Sequence, residues 1–180
     1  MRRIFLTAAL LVLPMLAQAH PGHDSGAGFM TGALHPLAGM DHLLALIATG
    51  LLAWRMAGRE RLRIAVAFPA LLAVGAIIGL AGVELPLTET MIALSIAVLA
   101  LLALRPPRRL PLSAAGLTAM FAVFHGHAHG LEAAGAIAAG SFVAGLMVSS
   151  VLVICAAMAC AHLASHWNLF DRHHRYRLRR

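Results

Sequence analysis

Imidazole and carboxylate groups are the ligands that suit borderline divalent cations, and this chain sets both at helical spacing inside otherwise apolar runs. One cluster is HPLAGMDH, from His35 to His42, and the other is FHGHAHGLE, from Phe124 to Glu132. At 100° per residue His125 and Glu132 lie about 20° apart around a helix, with His129 within about 60° of both. These three share a face, and His127 points elsewhere. Such an H-x3-H-x2-E array offers two imidazoles and a carboxylate to one cation. His35 and His42, seven residues apart, are nearly eclipsed on a continuous helix, with Asp41 displaced by about 100° from His42. Pro36 is expected to open or kink that helix, leaving His35 at its outer boundary and Asp41 and His42 about 8 to 9 Å below.

The surroundings make these residues costly. A carboxylate near a bilayer centre carries a penalty of about 2.5 to 3.5 kcal/mol on insertion scales, so Asp41 and Glu132 beside histidines read as a functional site. The chain is 61% hydrophobic and 12% charged, with a mean hydropathy of +0.84. A soluble domain of 180 residues has no core large enough to hide that much apolar surface. The composition therefore predicts an all-α polytopic transmembrane bundle.

Residues 1–19 have the form of a cleaved signal peptide: Arg2 and Arg3, an apolar run from Ile4 to Leu13, and Ala17-Gln18-Ala19 as the cleavage signature. The rest, 20–180, reads as a single membrane domain with five spans at about 29–54, 62–82, 85–104, 110–134 and 136–163, and a basic tail over 164–180. All 14 basic residues are arginines. Apart from Arg2 and Arg3 they gather at Arg55 to Arg63, at Arg105 to Arg109 and in the tail, which assigns those segments to the cytoplasm. The N-terminus is then outside and the C-terminus inside, as cleavage of a leader also requires. In this arrangement the first span runs inward and the fourth outward, so the two histidine clusters fall at matching depth.

Other residues carry weaker signals. His20 and His23, beside Asp24, would follow the cleavage site and catch metal outside; His162 and His166, one turn apart in the fifth span, would form an exit relay. His173 and His174 meet lipid headgroups in the tail. Cys155 and Cys160 are misaligned for a disulfide and are expected in the core. Gly75, Gly79 and Gly82 in the second span, and Gly126 with Gly130 in the fourth, have the spacing of close helix packing. No interleaved basic and aromatic patch points to nucleic acid, and no phosphate loop or Ser-His-Asp arrangement points to a nucleotide-driven or hydrolytic site. Simple interhelical hydrogen bonding does not account for so many imidazoles and acids at one depth, and bis-histidine haem ligation does not need the acids.

HPLAGMDHLLALIATGLLA at His35 to Ala53, together with FHGHAHGLE, resembles the HupE/UreJ family, small permeases associated with hydrogenase and urease maturation. The resemblance covers the mature chain. It implies a multi-pass protein of the bacterial inner membrane, its N-terminus periplasmic or extracellular, that carries nickel, or cobalt, into the cytoplasm. The family's histidine and acid positions match His35, Asp41, His42, His125, His129 and Glu132. Leu46 and Thr49 stand where the resemblance leads one to expect methionine and valine, which leaves the ligand set unchanged.

The residues alone support a divalent cation preferring nitrogen and oxygen ligands, zinc included; nickel is implied by the resemblance. The expected function is capture of the cation outside, coordination by His42, Asp41, His125, His129 and Glu132 with His35 at the mouth, and release inward. No catalytic cofactor is expected, and the partners are the metal, the bilayer, a second copy of the chain, and hydrogenase or urease maturation proteins. Two alternatives use the same residues. One is an intramembrane hydrolase in which Glu132 or Asp41 activates a zinc-bound water; the other is a sensor or assembly subunit that binds metal without moving it.

Overall fold

The computed structural model describes residues 28–104 and 114–177, with side chains to 166. The expected leader, His20 and His23, and the side chains of His173 and His174 lie outside the described residues. Six helices follow one another: α1 Phe29–Ala38, α2 Met40–Arg55, α3 Gly58–Leu80, α4 Thr88–Leu104, α5 Ala114–Glu132 and α6 Ala139–Arg177. No strand occurs among the described residues. The all-helical architecture follows from apolar runs in which only an intrasegment ladder satisfies every backbone group.

The first apolar run departs from expectation. It is two helices, α1 and α2, bent by 81°. The break falls at Gly39 and not at Pro36, which lies buried within α1. Gly39 adopts an extended backbone (φ −89°, ψ 110°). Its N–H donates to His35 O at 3.1 Å, ending α1, while its carbonyl accepts from Leu43 N–H at 3.0 Å, opening α2. One glycine thus serves both helix ends. Asp41 sits in the first turn of α2, where a negative charge opposes the partial positive charge of the helix start.

Two helices are long and apolar enough to cross a membrane, α3 and the Ala139–His166 part of α6, and the bent pair makes a third. Helix α4 has 17 residues, about 25 Å at the α-helical rise. The 19 residues of α5 include three histidines and Glu132. Helix α6 continues past 163, so much of the basic tail prolongs it.

Close approach of α3 and α5 organises the interior. A Cβ on Gly75 or Gly79 would overlap the carbonyl oxygens of Val123 and His127, and one on Gly126 or Gly130 those of Leu72 and Ala76. The four glycines therefore interlock reciprocally, bringing backbones within van der Waals reach as small residues do in membrane bundles. Because Gly126 and Gly130 alternate with His125, His127 and His129, the same contact sets the rotation of α5 and hence the aim of its histidines. Helix α1 packs on α6 similarly, Gly32 against the Phe142 carbonyl and Gly145 against that of Phe29.

Helix α2 packs against α4 and α6, and α5 against α3 and α4. The core between them holds Leu46, Leu52, Phe68, Leu72, Phe121 and Leu146. Cys155 and Cys160 do not join it. Both are exposed free thiols on α6, whose solvent- or lipid-facing side also carries Val151 and Leu152. An apolar outer surface makes cysteine as acceptable there as inside, so residue type alone misplaced them. At the opposite end of α2, Arg61 donates to Trp54 O and Met56 O at 3.3 and 3.1 Å, closing the α2–α3 corner, and Arg63 pairs with Glu60.

Candidate metal site

Gly39 decides how the first histidine cluster is presented. The eclipsed placement of His35 and His42 expected of a continuous helix does not occur, because the extended glycine puts them on differently directed helices. They reach His129 from two sides, with ring centroids 4.5 Å from His35 and 4.4 Å from His42. Phe142 of α6 flanks His35 at 5.5 Å.

The rings form a ladder. Glu132 Oε2 lies 3.5 Å from His35 Nε2 and 3.2 Å from His129 Nδ1. His129 Nε2 is 2.9 Å from His42 Nδ1, which is 3.1 Å from His125 Nδ1. His125 Nε2 ends the ladder 2.8 Å from Ser95 Oγ on α4. Side-chain exposure falls along it, from 30% for Glu132 and 24% for His35 to 10% for His129, and His42 and His125 are buried. Phe68 lies 5.9 Å from His125, and with Phe121 and Leu46 it belongs to the closely packed, fully buried core.

His35, His129 and Glu132 place ligand atoms all within 4.8 Å of one another. Around a metal with bonds to nitrogen of about 2.0 to 2.1 Å, neighbouring ligand atoms lie roughly 3 to 3.4 Å apart. The contacts His42–His129 and His42–His125 are therefore near ligand spacing before any cation arrives. Five of the six principal residues named from sequence come together. Asp41 is the sixth, and its Oδ1 instead accepts the backbone N–H of His42 at 2.8 Å. His42 Nε2 is buried without a hydrogen-bond partner. His162 and His166 meet edge to face with ring centroids 4.5 Å apart, exposed on α6 far along the chain from the ladder.

His127 points away from the ladder, as its helical phase requires, and has a different task. Its Nε2 lies 2.7 Å from Val83 O and its Nδ1 3.2 Å from Thr88 Oγ1. This buried ring thereby ties the α3–α4 turn to α5. Beside it opens a cavity of about 330 Å³ lined by Glu84, Thr88, Glu89, His127 and Glu132, among others. Glu132 belongs to both the cavity and the ladder. Sequence reading missed Ser95, whose only signal was a lone hydroxyl within the apolar part of α4. Thr49, where the family resemblance leads one to expect valine, is fully buried on α2 with no partner for its hydroxyl.

A polar ladder of this kind, on this set of helices, coincides with a match to the family model described as HupE / UreJ protein, over residues 8–175. The chain belongs to the HupE/UreJ family. Protein HupE of Rhizobium leguminosarum bv. viciae is 38% identical over 130 residues, which cover 72% of this chain and 68% of that protein. No solved structure matches the chain. Within this HupE/UreJ chain both histidine motifs fall inside the matched region, and α3, α4, α6 and the bent α1–α2 pair carry the apolar character of a membrane protein.

Proposed function

We propose that this HupE/UreJ protein is a divalent metal permease of the bacterial inner membrane, taking up nickel for hydrogenase or urease maturation. The observation that carries the reading is the unbroken sequence of ligand atoms from the acid-lined cavity at Glu132, through His35 and His129, to the buried His42 and His125. The reading takes the bent pair as one crossing and α3 to α6 as four more, with the cavity outside and the arginine-rich α2–α3 corner inside. Glu84, Glu89 and Glu132 raise the local concentration of cations at the mouth. The cation is then passed between overlapping pairs and triples of ligands. A pathway needs binding weak enough to permit release, and a ladder offers that better than a closed cage. Nickel is favoured over zinc by family membership, since nitrogen and oxygen ligands alone accept either.

The test is radiolabelled nickel uptake into sealed proteoliposomes containing only this protein, with cobalt and zinc as competitors. Uptake that disappears in His129→Ala and His42→Ala is the expected result. Stoichiometric nickel binding without uptake would replace the permease reading with that of a metal-binding sensor or assembly subunit.

A further inference from the structure

The two ends of the ladder determine where its protons lie. At the inner end the Ser95 hydroxyl, fully buried, donates to Ile92 O at 2.6 Å. A hydroxyl has one proton, so in the 2.8 Å contact with His125 Nε2 the ring is the donor. His125 therefore carries hydrogen on Nε2 and a lone pair on Nδ1. At the outer end the Glu132 carboxylate accepts from His129 Nδ1 at 3.2 Å, leaving a lone pair on His129 Nε2. Both lone pairs face His42 Nδ1. With the three rings neutral, that nitrogen holds the hydrogen between them, and they have one consistent set of tautomers.

We propose that Ser95 is a positioning residue for metal capture, holding His125 in the Nε2–H tautomer so that its Nδ1 lone pair faces the arriving cation. The proposal rests on the permease reading. An imidazole without an acceptor for its outer nitrogen divides between tautomers, and one of them turns an N–H toward the cation. Ligating histidines in metal sites almost always donate their other N–H to a fixed acceptor for this reason. A serine does so without adding negative charge at the deepest point of the ladder, which keeps the cation from being held there too strongly. Nothing in sequence proximity links the two residues, which are 30 positions apart on helices that meet only in the fold.

Ser95→Ala removes the acceptor with almost no change in volume, and Ser95→Thr restores a hydroxyl. The full chain in lipid nanodiscs, with ¹⁵N-labelled histidine rings, reports the His125 tautomer in the metal-free state, and equilibrium dialysis reports nickel affinity. Wild type is expected to show His125 as Nε2–H. S95A is expected to mix tautomers and lose roughly ten- to a hundred-fold in nickel affinity, the usual effect of removing such a partner, with S95T recovering both. Wild-type affinity in S95A overturns the proposal, and so does a loss of affinity with the tautomer unchanged, which marks a packing role. If wild type binds no nickel, the permease reading fails; the metal-free spectrum of S95A still decides by itself whether Ser95 sets the tautomer.

Discussion

His42 Nδ1 stands 2.9 Å from His129 Nε2, although 87 positions separate the two residues in the chain. Residues joined this closely act as a unit, so their contributions to cation binding are not additive. His42→Ala and His129→Ala are each expected to lower nickel affinity by at least about tenfold, and the double variant to lose much less than the product of the two. Equilibrium binding on the four proteins of the cycle measures the coupling. Full additivity would place the two rings in separate sites.

Metal and protons compete for the same imidazole nitrogens. Nickel affinity is therefore expected to fall as the solution is acidified below about pH 6, near the ordinary range of imidazole, and to recover on neutralisation. Binding titrations across this range check the sign, and unchanged affinity at pH 5 would count against histidine ligation.

The glycine contact between α3 and α5 leaves no space for side chains. Gly126→Leu pushes a side chain into the backbone of Leu72 and Ala76, with an expected loss of about 1 to 3 kcal/mol or more. Gly116, on the same helix, has nothing within 4 Å of an added Cβ, and Gly116→Ala is expected to leave stability equal or slightly improved. Thermal unfolding in detergent compares them. Equal melting temperatures for the two variants would show that the interlock does not hold these helices together.

His127 ties the α3–α4 turn to α5 through Val83 O and Thr88 Oγ1. His127→Ala removes contacts worth about 0.5 to 1.5 kcal/mol each. Hydrogen exchange is expected to quicken around Leu85 to Thr88, while nickel affinity changes far less than in His129→Ala. A loss of affinity as large as that of His129→Ala would make His127 part of the cation route.

Much of this protein was legible from residue order. Hydropathy marks the apolar runs because backbone groups in lipid must be satisfied within a helix. The i, i+4, i+7 spacing of His125, His129 and Glu132 aligned them on one face and set His127 apart, since helical phase depends only on local geometry. Small residues four apart announced the close approach of α3 and α5. The tertiary structure alone decided the rest. A single extended glycine at position 39 broke the first run, so His35 and His42 meet His129 from two directions and do not lie one above the other. Asp41 turned to its own helix start, where a backbone N–H is nearer than any imidazole. Ser95 reached His125 across two helices, and Cys155 and Cys160 faced outward because an apolar exterior does not distinguish them from a core. Periodicity specifies direction around one helix axis, whereas these outcomes depend on the angle between axes and on which distant group lies within hydrogen-bond reach.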